Sequence, residues 1–193
     1  MDLTRTNMKI RVLLQLCIFG YFVGIQSFLL GQSIYGVSSY WNDSFKEWII
    51  LAPEEEDDGK LQMMWELRND WTEWEFEYMG MRGRIEQPND RQPEYWELKS
   101  GYQTVTMRTQ WPGDFSEWRI ASDSITLVIK TRYNQIADEW VIDDSKYGDF
   151  YMYTEWEGDA RDWLIKDFLA EEVSLLMKIA IVHIVLLQSV PRI

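Results

Sequence analysis

Cysteine and histidine are almost missing from this chain: its 193 residues include one of each, Cys17 and His183. A single cysteine excludes a disulfide bond within the chain, so its stability must come from a packed core. His183 lies in an apolar tail between Val182 and Ile184, which favours a buried neutral histidine. With the single histidine in this apolar tail, we expect no catalytic triad, Cys–His pair or histidine-based metal site, and no glycine-rich phosphate loop occurs. We therefore predict no catalytic residue, no metal site and no cofactor, and we predict that the chain is not an enzyme.

Basic side chains are also few, with 19 Lys and Arg against 32 Asp and Glu, for a net charge of −13. This balance argues against nucleic acid or anionic lipid as a partner. Paired acids could cut glycosides or bind calcium, but those sites are asymmetric, whereas these acids recur at every turn. We interpret both sets as structural, and we predict that the turn acids cap backbone donors. The turn acids are Asp43, Asp70, Asp114 and Asp159, and the acids before Trp are Glu47, Glu73, Glu117, Glu139 and Asp162.

The N-terminal segment is typical of a targeting sequence. Lys9 and Arg11 precede an apolar run over residues 12–30, which ends in Gly31-Gln32-Ser33. This pattern predicts a signal peptide over residues 1–31 with cleavage near Gly31, and a retained signal anchor is the alternative. Both interpretations predict export, to the periplasm, the cell surface or the medium. Residues 32–193 then form one domain.

Aromatic residues are abundant and regularly spaced, with 11 Trp and 10 Tyr. An aromatic residue and a turn with Asp or Asn are followed by an acid and then Trp, seven residues after the first aromatic. The second aromatics are 22 or 23 residues apart except in the first interval, which predicts six hairpin repeats. The clearest copies are Trp41–Trp48, Trp111–Trp118, Tyr133–Trp140 and Trp156–Trp163, and looser copies end at Trp74 and Trp96.

Both halves of each unit alternate with period two, as strands do. The pair Trp118 and Ile120 starts one apolar column, and Val105, Met107 and Trp111 belong to another. We therefore expect most of the repeated Trp side chains in the core. Six hairpins give about twelve antiparallel strands, more than an open sheet holds comfortably, so the sheet should close into a barrel. The fold class is all-β with one C-terminal helix.

The apolar tail predicts that helix, over residues 171–190. Glu171 and Glu172 precede the apolar run and Pro191 follows it, as at helix ends. Lys178 and His183 fall on different sides, so no polar face forms and the helix must be enclosed by protein or by lipid. Because the run is short for a membrane span and contains Lys178, we prefer enclosure by the barrel.

A twelve-strand meander followed by an apolar helix resembles the tubby-like barrel, including its LURP-one and phospholipid-scramblase relatives. The resemblance covers residues 40–190 and concerns architecture, since no sequence motif of that family matches. It implies a closed barrel threaded by the helix. No binding residue is transferred from it.

The best candidates for ligand contacts are aromatic residues outside the main apolar columns, which we expect to be exposed: Trp71, Tyr78, Tyr102, Tyr151 and Tyr153. We predict an exported, non-enzymatic β domain with a binding or structural role and an unknown ligand. One alternative is a lipid-interacting barrel that reaches the membrane through residues 1–31 or the C-terminal helix. Another is a carbohydrate-binding module that uses exposed aromatic rings.

Overall fold

The structure is a computed structural model that describes residues 33–133 and 136–191; the predicted signal segment lies outside them. The described residues form a closed barrel of twelve antiparallel strands and one C-terminal helix, which confirms the predicted fold class. The strands are β1 (Gly36–Trp41), β2 (Ser44–Leu51), β3 (Gly59–Trp65), β4 (Asp70–Tyr78), β5 (Met81–Glu86), β6 (Tyr95–Ser100), β7 (Gln103–Trp111), β8 (Asp114–Ser122), β9 (Ile125–Tyr133), β10 (Ile136–Asp144), β11 (Gly148–Trp156) and β12 (Asp159–Leu169), and the helix is α1 (Leu175–Ser189).

Each strand pairs with its neighbours in sequence, and β12 pairs with β1 to close the barrel. In such a meander, the turns that follow odd-numbered strands all lie at one end of the barrel. We call this the tip end, and it includes the turns at residues 42–43, 66–69, 87–94, 112–113 and 157–158. The chain passes from β12 into α1 at the opposite end.

The same tryptophan hydrogen bond occurs in all six even-numbered strands. Each of these Trp side chains is buried, and its indole N–H donates to the carbonyl of the residue three positions earlier at 2.9–3.2 Å. A buried indole N–H without a partner would be costly, so this bond makes tryptophan tolerable in an otherwise apolar core. The six are Trp48, Trp74, Trp96, Trp118, Trp140 and Trp163.

These bonds lie in irregular stretches at the tip end of most hairpins. Thr109 pairs with Trp118 and Trp111 pairs with Asp114, so four steps of β8 oppose two steps of β7. The β1–β2, β3–β4 and β11–β12 hairpins have the same shift. Such irregularities bend and twist the strands, so the alternation of faces does not extend to the first aromatic of the unit.

Helix α1 fills the barrel, as predicted. Twelve consecutive residues, 176–187, are buried on every side of the helix. The helix starts later than the predicted residue 171 because the Ser174 hydroxyl caps it by accepting from the Met177 N–H at 3.3 Å. Glu171 and Glu172 therefore lie in the turn before the helix. Among the described residues, the structure contains no helix that is both long and apolar enough to cross a bilayer.

Polar side chains of the helix contact polar groups or aromatic rings of the wall. Lys178 Nζ lies 2.6 Å from Asp167 Oδ2 on β12, and both side chains are buried. The His183 ring lies edge-on between Trp74 and Trp96, with centroids 5.4 and 5.2 Å away. The arrangement fits the predicted buried histidine. These contacts fix the depth and rotation of the helix.

We expect Lys178→Met to lower the free energy of unfolding by about 3–5 kcal/mol, because it leaves the Asp167 carboxylate buried without its counter-charge. Removing both charges, as Lys178→Met with Asp167→Asn, should recover most of that loss. Urea unfolding of the three proteins measures the coupling. Lys130→Met, at an exposed lysine, is the matched control and should change stability by less than about 0.5 kcal/mol. A loss in Lys178→Met no larger than in this control would contradict a structural role for the pair.

Candidate functional site

Exposed aromatic side chains are concentrated at the tip end. Among the described residues, nine of the fourteen exposed large hydrophobic side chains lie there, which makes this end the candidate binding surface. Five of the nine are the first aromatics of their units, with 42–67% of each residue exposed. We call these five the aromatic arc: Trp41, Trp65, Trp111, Tyr133 and Trp156.

The five residues of the arc occupy consecutive hairpins. Starting from β7–β8, the order around the barrel is β9–β10, β11–β12, then β1–β2 and β3–β4, because β12 pairs with β1. Neighbouring hairpins are about 10 Å apart, since adjacent strands are separated by about 4.8 Å. The remaining hairpin, β5–β6, has Pro88 where the others have an aromatic residue, and it leaves one gap in the ring.

The indole N–H groups of Trp41 and Trp65, the last two rings of the arc, donate to carboxylates on the outer wall. Trp41 Nε1 lies 3.0 Å from Glu47, which also pairs with Lys60 at 2.6 Å. Trp65 Nε1 lies 2.7 Å from Glu73, and this bond contributes most to holding the pKa of Glu73 below its usual value. These rings therefore lie against the outside of the barrel, held in one orientation by their hydrogen bonds.

Charged pairs also occur in the hairpins of Tyr133 and Trp156. The Arg132 guanidinium is 5.6 Å from the Tyr133 ring centroid and pairs with Glu139 at 2.5 Å. At the start of β12, in the hairpin of Trp156, Arg161 Nε donates to Asp159 at 2.8 Å, and its hydrogen bonds lower the pKa of Asp159 to about 2. The arc thus places hydrogen-bonding side chains of both charges next to aromatic faces.

Exposure of the arc corrects the expectation that most of the repeated Trp would lie in the core. The second Trp of each unit is buried, but Trp41, Trp65, Trp111 and Trp156 are exposed. The alternation pattern continues to these positions in sequence, whereas the strand ends are twisted away from the core by the irregular pairing. With strict alternation a two-residue turn would keep both aromatics on one face, because Trp111 opposes Asp114 and Trp118 lies four residues further along β8. The sequence therefore carries no local signal of their separation.

The turn acids mostly have the capping role predicted for them. Asp70 accepts from the N–H of Thr72 and Asp114 from that of Ser116, at 3.0 and 2.9 Å. Both carboxylates have a lowered pKa, mainly through the hydroxyl of the same Thr or Ser. Asp159 accepts from the Arg161 N–H in the same way at 3.1 Å. In the first hairpin, Ser44 rather than Asp43 accepts such a bond, from the Lys46 N–H.

Two of the five predicted ligand contacts, Trp71 and Tyr78, are buried, so the expectation that they are exposed is wrong. Tyr78 continues the inward column of Trp74 and Phe76, and its hydroxyl donates to the Ser33 carbonyl. Burial raises the pKa of Tyr78 to about 12. Trp71 lies in the irregular stretch of β4, where its ring packs 5.6 Å from that of Trp74.

The other three predicted contacts do not come together into one site. Tyr102 is fully exposed, but it lies in the β6–β7 turn at the end opposite the arc. Tyr151 and Tyr153 are half-buried on the outer face of β11, and Lys166 lies 5.4 Å from the Tyr153 ring. The structure therefore moves the candidate site from these residues to the aromatic arc.

We expect tryptophans of the two classes to differ in their effect on folding. Trp118→Ala should lower the free energy of unfolding by about 3–5 kcal/mol, because it empties a fully buried site. Trp111→Ala, in the same hairpin, should change it by less than about 0.5 kcal/mol. Chemical denaturation followed by circular dichroism measures both. Equal losses would place Trp111 in the core and remove it from the arc.

Comparisons with protein-family models, with curated proteins and with solved structures give no match for this chain. The resemblance to tubby-like barrels therefore stays a prediction from architecture, and the candidate site must be interpreted from its own chemistry.

Proposed function

We propose that this chain is an exported, non-catalytic domain that binds carbohydrate through the aromatic arc. The main support is one arrangement that recurs in the β1–β2, β3–β4 and β9–β10 hairpins: an exposed aromatic ring with a carboxylate and a basic group beside it. The apolar face of a sugar ring packs on an aromatic ring. Its hydroxyl groups donate to carboxylates and accept from Lys and Arg.

The regular spacing supports an extended ligand over a small one. Five rings on consecutive hairpins, about 10 Å apart, form a curved track around the outside of the barrel. A repeating polymer can contact several rings at once, so weak individual contacts add through a high effective concentration. Inside the barrel, by contrast, the space beside His183 is filled by Trp74, Leu186 and their neighbours and leaves no room for water.

The carboxylates near the arc support binding rather than hydrolysis. A general acid requires a carboxyl group whose pKa is raised towards neutrality. Hydrogen bonds instead lower the pKa of Glu73 and of Asp159. Ionised carboxylates held in place are acceptors for hydroxyl groups.

Lipid interaction, the alternative that the tubby-like resemblance implies, has less support. The apolar surface of α1 is buried inside the barrel, so contact with lipid would depend on the arc or on residues 1–31. The turns beyond the arc contain Asp43, Glu66, Asp90 and Glu157, and the net charge is −13, which disfavours an anionic membrane. Binding to a neutral bilayer is therefore measured as the alternative outcome in the test below.

The test is a glycan array probed with the labelled protein, followed by titration of the best oligosaccharide against single variants. Trp111→Ala and Trp156→Ala should each weaken binding about 2- to 10-fold, as expected for loss of one stacking ring, and the double variant should lose more. Tyr102→Ala is the matched control, because this fully exposed ring lies at the opposite end.

Three results would contradict the proposal. One is the absence of any bound glycan, and another is an equal loss of affinity in Tyr102→Ala. The third is binding to phosphatidylcholine vesicles that depends on Trp111 and Trp156 while no glycan binds. That result would support the lipid-interacting alternative, with the arc as the lipid-binding surface.

A further inference from the structure

The gap in the aromatic arc is occupied by a cleft that contains two arginines. It lies on the outer wall between the β5–β6 connection and the β7–β8 hairpin, with a volume of about 490 Å³. Its walls include Gln92, Tyr95, Arg108, Thr109, Gln110 and Arg119. Pro112, the residue after Trp111, also lines it, so the cleft adjoins the first ring of the arc.

Arg108 and Arg119 face each other directly across the β7–β8 ladder. Like charges in this position repel, so the pair costs stability unless an anion lies near both. Neither arginine takes part in the nine ion pairs found among the described residues, although Arg119 Nε donates to Gln110 at 3.1 Å. Six other basic side chains of the outer wall have carboxylate partners, whereas Lys46, Lys130 and Lys166 are, like the two arginines, in none of these pairs. The six are Lys60, Arg82, Arg84, Lys99, Arg132 and Arg161.

Of the nearby acids, Glu94 and Glu97 already accept hydrogen bonds, while Glu117 lies two residues before Arg119 on β8. Glu94 lines the cleft, but its carboxylate accepts from the Gly113 N–H at 2.6 Å. Glu97 accepts from the Tyr95 hydroxyl at 2.6 Å and pairs with Lys99 at 2.7 Å. The two guanidinium groups therefore have donors that these carboxylates do not use.

The wall of the cleft is fixed by backbone hydrogen bonds. The Thr109 N–H donates to the Glu94 carbonyl at 3.0 Å, which ties the β5–β6 connection to β7. The Tyr95 N–H donates to the Gln92 carbonyl at 3.1 Å, and the Gln92 N–H donates to the Asn89 carbonyl at 2.8 Å. A site formed in advance loses less entropy when it binds.

We infer that this cleft binds the carboxylate or sulfate group of an acidic sugar unit, next to the sugar that stacks on Trp111. The inference rests on the proposed carbohydrate binding and names the chemical class of the ligand. Guanidinium groups match the planar oxygens of a carboxylate and bind sulfate oxygens, and Gln92, Thr109 and Gln110 add neutral hydrogen-bonding groups. Because the net charge of −13 repels dense polyanions, the fitting ligand has isolated acidic units among neutral ones.

The test follows the arginine Nε–H signals in ¹⁵N-correlated NMR spectra while sodium glucuronate, sodium sulfate or glucose is added at constant ionic strength. The Arg108 and Arg119 signals, assigned from Arg108→Gln and Arg119→Gln, should move and saturate with both anions and stay unchanged with glucose. Either variant should weaken anion binding about tenfold, as for loss of a charge-assisted bond. Arg82→Gln, at an exposed arginine paired with Glu77, is the control and should bind as the parent does.

Folding of the variants is checked by their unfolding midpoints, which should equal or exceed that of the parent because a repulsive pair is removed. Shifts that do not saturate, or that weaken equally in Arg82→Gln, overturn the inference.

The same data distinguish this inference from the proposed function. Saturable anion shifts with no glycan bound on the array would support the cleft as an anion site and contradict carbohydrate binding. Neutral glycans bound through Trp111, with no response of the arginine signals to either anion, would support carbohydrate binding and overturn the acidic ligand.

Discussion

The architecture depends on the enclosure of α1 by the barrel. Twelve strands surround a space wider than their own inward side chains can fill, and an apolar helix of fifteen residues, Leu175–Ser189, fills it. Neither part is stable alone: without the helix the wall would surround a large void, and without the wall the helix would expose apolar surface on every side. The Lys178–Asp167 pair adds a fixed position to this mutual burial, because a buried lysine requires its carboxylate.

The hairpins use their aromatic residues in two ways. The second Trp of each unit packs around the helix and satisfies its indole N–H with the carbonyl three residues earlier, as Trp118 does with Phe115. Where the pairing becomes irregular, the strand ends twist and the first aromatic is left on the outer rim, as with Trp111. The device that stabilises the core thus also generates a regular set of exposed rings, and the unit that lacks one has the arginine cleft beside it.

Much of the fold could be predicted from the sequence because its signals are periodic. Alternation predicts the strands, and the 22-residue spacing of Trp predicts their number. Lys178 and His183 on different sides of an apolar helix predict that the helix is enclosed. The candidate site was harder to predict because it depends on departures from periodicity. Trp111 continues an apolar column in sequence but is exposed. Tyr78, predicted at the surface, is buried because β4 extends to residue 78 and keeps it in phase with Trp74 and Phe76. Cross-strand register, which opposes Arg108 to Arg119, is absent from any local pattern.

Enclosure of the helix is the claim on which both the fold and the position of the arc rest, and native-state hydrogen exchange of the full chain tests it most directly. If the barrel encloses α1, amides of residues 179–189 should exchange only by global unfolding, with the same free energy as the central amides of β7 and β8. Exchange of the helix at a clearly lower free energy, while the strands stay protected, would show that the helix leaves the barrel without unfolding it and would contradict the account.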